Sequence, residues 1–315
     1  MTSANLLKGL RIDDPERFSL AAFDCADTFG IDLDKDDAKA LLDDDIKRLV
    51  GLQERLYAEH RWAVLVVLQG MDASGKDGVI KHVMAGLNPQ GCDVHPFKAP
   101  SGEELDHDFL WRSVVRLPRR GHIGIFNRSH YEEVLAVRVH PELLARQQLP
   151  AAVLGKHVWT HRFKDIRAFE RHLARSGVLV LKFFLHISKA EQRRRLLERL
   201  DEPAKRWKFS MGDIAERNLW DKYKAAYEDM IRATSRPEAP WYVVPADHKR
   251  FARLVVARVM VEALERLDLQ IPKVEGKALK ELRKVRAALG AERPGRDRSP
   301  SAKRQRKAAR PPSKR

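Results

Sequence analysis

The sequence predicts a three-layer α/β/α fold built on a parallel sheet. Three observations lead there. Short, continuous apolar runs rich in β-branched residues recur along the chain, as in Trp62-Ala-Val-Leu-Val-Val-Leu-Gln69. Patterns of helical period separate these runs. A glycine-bearing loop joins the first run to a helical pattern. A strand that is apolar on both faces belongs in a sheet covered by helices on both sides. Strands alternating with helices give parallel pairing through right-handed crossovers.

Residues 1–35 are polar and acid-rich and show no period. Leu42, Ile46, Leu49 and Leu56 then mark an amphipathic helix from about Asp36 to His60. Trp62–Gln69 is the first strand, and Asp77–Leu87 continues as a helix. Further strands are expected at Ile123–Phe126, Val178–Ile187 and Trp241–Val244, with a weaker one at Val94–Phe97. Trp159, Phe163, Ile166, Phe169 and Leu173 recur at helical spacing between them. Lys277–Leu289 fits a short charged helix. From Gly290 the chain is Ala, Pro, Ser, Lys and Arg without aromatics, a composition expected to be disordered. No internal repeat is present.

The 315 residues (36.2 kDa) suffice for a full core without staples. Two cysteines, Cys25 and Cys92, exclude a disulfide scaffold or a Cys-rich zinc site and suit a reducing cytosol. No apolar run approaches the roughly 18 residues that span a bilayer. The opening residues lack an apolar core of signal-peptide type. A cytoplasmic protein without a membrane partner is therefore expected. The net charge of +16 is unevenly spread. Residues 1–60 hold 8 Lys+Arg against 14 Asp+Glu, residues 61–272 hold 36 against 26, and residues 273–315 hold 16 against 4. A basic folded region suggests an anionic ligand. The basic tail suggests only loose affinity for polyanions, nucleic acid included.

Gly70-Met-Asp-Ala-Ser-Gly75-Lys76 fits the phosphate-loop (P-loop, Walker A) pattern G-x-x-x-x-G-K in its proper place between strand and helix. Glycines let the backbone N–H groups turn inward as an anion nest at a helix N-terminus, and Lys76 adds a mobile charge. Gly70, Ala73, Ser74, Gly75, Lys76 and Asp77 are thus the candidate phosphate-binding residues. The position after the lysine is normally Ser or Thr; here it is Asp77. A second carboxylate, Asp72, lies inside the loop and would repel phosphate without a cation between them. Asp72 and Asp77 are accordingly the candidate ligands for Mg²⁺ or Mn²⁺.

The strand ending His122-Ile-Gly-Ile-Phe-Asn127-Arg128-Ser129 carries polar residues to the sheet edge where α/β proteins bind ligands. Asn127 stands where phosphate-loop enzymes usually have Asp. Asn127, Arg128, Glu132 and Arg138 are the candidate nucleotide-binding residues. Glu133 is expected on a solvated helix face. Residues 193–224 hold 10 Lys+Arg against 6 Asp+Glu and form an arginine-rich helix–loop–helix broken at Pro203. Its place between the last two strands is that of a mobile helical lid. Arg195 and Arg199 lie one turn apart, Lys205, Arg206 and Lys208 fall in the loop, and Arg217 opens the next helix. With Asp72, Lys76 and Arg128, the pair Arg195 and Arg199 completes the expected catalytic set. The other lid cations are assigned to the phosphate chain.

These residues resemble the polyphosphate kinase 2 family from about Leu41 to Leu269. The resemblance is carried by LQGMDASGKDGVIKHVMAGLNPQGCDV, HDFLWR, IGIFNRSHYEEVLAVRVHPE, LKFFLHISKAEQRRRLLERLDEPAKRWKFS and APWYVVPADHK. It implies a thymidylate-kinase-like fold and Mg²⁺-dependent, reversible phosphoryl transfer between inorganic polyphosphate and AMP, ADP or both. The NRSHYEE form resembles the polyphosphate:nucleotide phosphotransferase branch, although Asn127 departs from the DRS of other members. By resemblance Asp72, Lys76, Asn127, Arg128, Arg195, Arg199 and Lys208 fall on functional motifs. The organisation expected is an N-terminal extension (1–60), a kinase domain (61–272) and a basic tail (273–315), assembled as a homo-oligomer. Two alternatives share parts of the pattern: an ATP-dependent nucleoside monophosphate kinase, and a non-enzymatic nucleic-acid binder using the tail.

Overall fold

The computed structural model describes residues 7, 9–31 and 35–291, without the side chains of residues 35–37 and of Lys208. Residues up to Ile271 form one compact unit and those from Pro272 a second. In the first unit five parallel strands form the sheet: β1 (Ala63–Gln69), β2 (Cys92–Pro96), β3 (Ile123–Asn127), β4 (Val178–His186) and β5 (Trp241–Pro245), in the order β2-β3-β1-β4-β5. All seven residues of β1 are buried. The chain leaves β1 on one side to build β2 and β3, then crosses to β4 and β5 on the other. A cleft opens at the carboxyl edge where those connections diverge. Register places Leu68 beside Asn127 and Gln69 beside Phe184, so the strand ends that supply the site are level.

Seven helices matter for the layers: α1 (Lys35–Glu59), α2 (Lys76–Val83), α3 (Val158–Arg175), α4 (Lys189–Asp201), α5 (Met211–Asn218), α6 (Trp220–Thr234) and α7 (Lys249–Glu265). Alternation along β1 divides the core. Val64, Val66 and Leu68 pack with Leu56 of α1, Val79 of α2 and Val255 of α7. Leu65 and Val67 pack with Ile166 of α3 and Tyr227 and Met230 of α6. Two helical layers thus enclose the sheet, as the strand pattern requires. Helix α2 ends at Val83, short of the expected Leu87, because Met84 turns out of the helix before Gly86 at φ +91°.

Two features of the core were not apparent in the apolar pattern. Lys182 lies in the middle of β4 and is fully buried. Its Nζ donates to Glu170 Oε2 (2.6 Å), Tyr131 OH (2.9 Å) and the Thr234 carbonyl (2.9 Å), which uses all three ammonium hydrogens. The acid-rich N-terminal stretch also packs into the fold. Leu10, Ile12, Phe18 and Leu20 are buried. Ile12 N–H donates to the Trp241 carbonyl (2.9 Å), and Arg11 bridges Tyr242 in antiparallel fashion. The outer edge of β5 is thereby covered, which blunts a template for unwanted strand pairing.

In the second unit, α8 (Gly276–Ala291) is a helix with Leu282, Val285 and Leu289 exposed. It extends through Gly290 and Ala291, where disorder was expected to begin. The rest of that expectation lies outside the described residues. Among the described residues, no helix is long and apolar enough to cross a membrane.

Candidate active site

The loop between β1 and α2 is shaped by two glycines. Gly70 adopts φ +155°, and a Cβ there would meet Ser74 Oγ at 2.6 Å and the Leu185 carbonyl at 2.9 Å. Gly75, at φ +113°, is the N-cap of α2. The turn between them needs Ala73 at φ +62°, in the left-handed region. Lys76 folds back into this nest and is 8 % exposed. Its Nζ donates to the carbonyls of Gly70 (2.6 Å) and Met71 (3.2 Å). Burial pulls its pKa down to about 8, and the neighbouring Arg128 pushes the same way. The Ser74 hydroxyl is buried without a partner among the described residues.

The candidate metal ligands are held from the adjacent strand end. Asn127 Nδ2 donates to Asp77 Oδ1 (2.9 Å), and Arg128 Nη2 donates to Asp72 Oδ1 (2.5 Å). In the usual arrangement a Ser/Thr hydroxyl on the helix faces an Asp on the strand. Here the carboxylate is on the helix and the donor on the strand, so one carboxylate remains at this spot. Asp72 Oδ2 and Asp77 Oδ2 have no hydrogen-bond or ion-pair partner among the described residues. No three metal-ligating side chains cluster among those residues. Mg²⁺, which takes one or two carboxylates and completes its shell with phosphate and water oxygens, fits such a donor set. Arg128, at φ +63°, also reaches Glu132 Oε2 (3.3 Å). Glu132 and Asp72 together keep the guanidinium firmly charged against the opposing effect of its burial.

Beside the loop is a cavity of about 470 Å³. Asp72, Arg128 and Glu132 line it at the phosphate-loop end, Phe97 and Phe109 supply aromatic walls, and Arg112 and Arg146 add cations. Gln192 reaches it from α4 and Glu216 from α5. Helix α5 meets the wall of the cavity at His140, whose Nδ1 lies 3.1 Å from Glu142 Oε1 and whose Nε2 lies 3.1 Å from Glu216 Oε2. Burial alone would lower the His140 pKa, but Glu216 and Glu142 outweigh it and the net shift is upward.

Of the cations expected to converge on the loop from residues 193–224, Arg195 alone bonds it among the described residues, and it does so through backbone carbonyls. Arg195, 4 % exposed, spends all five N–H groups on the protein. Nε donates to Glu191 (2.7 Å), Nη1 to the carbonyls of Ala73 (3.0 Å) and Ser74 (2.9 Å), and Nη2 to those of Ala246 (2.5 Å) and Asp247 (3.0 Å). Arg199 pairs with Asp213 (3.6 Å), Lys205 with Glu202, and Arg206 Nε donates to the Leu200 carbonyl (2.8 Å). Arg217 Nη1 donates to the Lys189 carbonyl and to Gln192 Oε1, both at 2.8 Å. The Lys208 side chain lies outside the described residues. Arg138, expected at the nucleotide, does not line the cavity; its Nη2 donates to Asp229 on α6 (2.6 Å). Glu133, expected on a solvated face, is buried and pairs with Arg162 (2.9 Å), because the 3₁₀ turn His130–Val134 points it inward.

Comparisons with known proteins place the chain in a family. The family model described as polyphosphate kinase 2 (PPK2) matches residues 32–272. The chain belongs to the polyphosphate kinase 2 family. An ADP-polyphosphate phosphotransferase of Rhodopseudomonas palustris is 52 % identical over 250 residues, covering 79 % of this chain and 86 % of the relative. An AMP/ADP-polyphosphate phosphotransferase of Meiothermus ruber is 50 % identical over 269 residues, covering 85 % and 97 %. The crystal structure of polyphosphate kinase 2 from Arthrobacter aurescens superposes with a TM-score of 0.82 at 40 % identity, covering 91 % of this chain and 97 % of the other. Residues that the sequence left unassigned include Phe97, Phe109, Arg112, Arg146 and His140. The HDFLWR segment was the available signal for two of them. The short helical turns on either side of it, Gly102–Asp106 before it and Trp111–Val114 at its end, have too little period to place it beside the loop.

Proposed function

We propose that this chain moves a phosphoryl group reversibly between inorganic polyphosphate and AMP or ADP. The observation that carries this is one juxtaposition: a phosphate nest with Lys76 opens directly onto an aromatic cavity of about 470 Å³ rimmed by arginines. A nucleotide base fits between aromatic walls, and its phosphates face Arg128 and Asp72. An oxygen of the acceptor phosphate attacks the terminal phosphorus of the polymer. One P–O bond forms, one anhydride P–O bond breaks, and the shortened chain leaves with the bond pair. The nucleophile is already an anion, so the protein supplies position and charge rather than a strong base.

Lys76 exchanges its two carbonyl partners for phosphate oxygens. Arg128 supplies permanent charge beside the transferring group. Asp72 and Asp77 would hold Mg²⁺ or Mn²⁺, which neutralises charge on the phosphates when bound. Arg195 fixes the loop rather than touching substrate. Purified protein given Mg²⁺, long-chain polyphosphate and AMP or ADP in turn tests this, with the nucleotides resolved by chromatography. ADP and ATP are the expected products. Absence of both, beside brisk ATP-driven phosphorylation of AMP, would transfer the chain to the ordinary monophosphate kinases.

A further inference from the structure

A second basin, of about 670 Å³, lies at the corner where β5 turns into α7, lined by Thr28, Arg194, His248, Lys249 and Arg250. The buried Arg195 guanidinium links it to the phosphate loop. The Arg195 guanidinium bonds Ser74 on one side and Asp247, in the wall of the basin, on the other. Arg253 continues the cationic surface toward α2, where its Nη2 would stand 3.4 Å from a Cβ added at Gly78. The positive charge here is under-compensated: Arg194, Arg195, Lys249, Arg250 and Arg253 stand against the carboxylates of Glu191, Glu198 and the lining Asp247. Arg194 is held by Glu191 and Glu198, and Lys249 lies 3.6 Å from the same Glu198. Arg250 and Arg253 have no hydrogen-bond or ion-pair partner among the described residues. Burial, and then Arg250 and Arg195, hold the Arg253 pKa below its ordinary value, and Lys249 is lowered by burial and by Arg195. The first turn of α7 carries no acidic residue to offset this. Phe251, the aromatic ring of the corner, is buried and stacked on Phe29 at 6.5 Å, so no free ring face is offered to a base.

We propose that this basin is a distal subsite for the donor, taking phosphates of a long polyphosphate chain beyond those at the phosphate loop and so favouring long donors over short ones. This rests on the polyphosphate function above and extends it to chain-length preference. A polymer of identical anions gains from every further cation along its path. A short chain ends before reaching the corner and gains nothing there. Crowded cations, of which Arg250 and Arg253 have no partner among the described residues, are relieved by an anion that lies between them.

The test is direct binding, followed by fluorescence anisotropy with end-labelled long-chain polyphosphate and with tripolyphosphate as the short competitor. The double variant Lys249→Glu/Arg250→Glu changes two exposed residues. Its thermal melt verifies the fold, and Lys249→Gln/Arg250→Gln repeats the measurement without charge reversal. The long-to-short affinity ratio should fall about tenfold in the charge-reversed protein. The dependence of long-chain affinity on salt should become shallower by roughly two ions. An unchanged ratio in both variants overturns the distal subsite while leaving the polyphosphate function in place. Failure of the wild-type protein to bind either polyphosphate overturns both. An oligodeoxythymidylate of matched charge serves as control. If it binds as tightly as polyphosphate and suffers the same loss, the basin is a general polyanion surface and the proposal is wrong.

Discussion

Arg195→Lys separates two roles that the same residue could hold. The substitution keeps the positive charge and discards the five-pronged geometry. In the structure Arg195 joins the phosphate loop, at Ala73 and Ser74, to the β5–α7 corner, at Ala246 and Asp247, and both to Glu191 on α4. An ammonium has three hydrogens, so at least two of these five acceptors lose their donor. A hydrogen bond from a charged donor contributes about 1.5–3 kcal/mol, less where the freed carbonyl meets water at the edge of a cleft. Taking about 1 kcal/mol for each lost bond gives about 2–3 kcal/mol. At about 2–4 °C per kcal/mol for a domain of this size, the melting temperature should fall by roughly 5–10 °C. Displacing the loop by about 1 Å should cost about 10²-fold in turnover. The assay is steady-state phosphorylation of AMP by polyphosphate with the wild-type enzyme and its Arg195→Lys and Arg195→Ala variants. A positioning residue makes the two variants nearly equal, with the loss in kcat and little change in the KM for polyphosphate. An Arg195→Lys enzyme close to wild type beside an inactive Arg195→Ala enzyme would refute the positioning role and return the residue to direct phosphate contact.

Lys76→Met keeps the length of the side chain and removes its charge from the nest; the protein should fold, with turnover reduced by about 10³-fold or more, and near-normal turnover would place the chemistry elsewhere. Lys182→Met leaves Glu170, 2 % exposed, without its ion-pair partner, and should cost about 3–5 kcal/mol in urea unfolding, whereas a cost under about 1 kcal/mol would show the buried pair to be dispensable. His140 has a raised pKa in the folded protein, so its clasp on Glu216 contributes fully below the ordinary histidine value and is lost as pH rises through the folded one. The melting temperature and the affinity for AMP should therefore decline as pH rises above the ordinary histidine value of about 6.5, and His140→Gln should flatten both profiles. A wild-type profile that is already flat would contradict this.

The sheet was legible because its strands are continuous apolar runs. β1 and β4 are buried on both faces, and that burial leaves no other reading of Val-Leu-Val-Val-Leu. The phosphate loop was legible because its glycines are needed for backbone angles that other residues resist. The N-terminal stretch was not: Leu10, Ile12, Phe18 and Leu20 follow the groove they fill rather than any period, and backbone pairing to Trp241 leaves no mark in side-chain order. Lys182 was absorbed into an apolar run because its partners, Glu170 and Tyr131, are distant in sequence. The arginines of α4 and of the segment after it were legible as cations only. Sequence shows that Arg195 is charged and faces the same side as Arg199; it cannot show that four backbone carbonyls have already claimed its hydrogens. Arg250 and Arg253 were passed over for the converse reason, since they lie in a helix that otherwise reads as core.

The choice of donor tests the central claim most directly. Enzyme, Mg²⁺ and AMP are mixed with equal phosphoryl equivalents of ³²P-labelled long-chain polyphosphate and γ-labelled ATP in parallel reactions, and label entering ADP is followed by chromatography. Transfer from polyphosphate should exceed transfer from ATP by at least about tenfold, the margin that differential binding of one well-placed group supplies. Equal transfer from both donors, or transfer from ATP alone, would contradict the account.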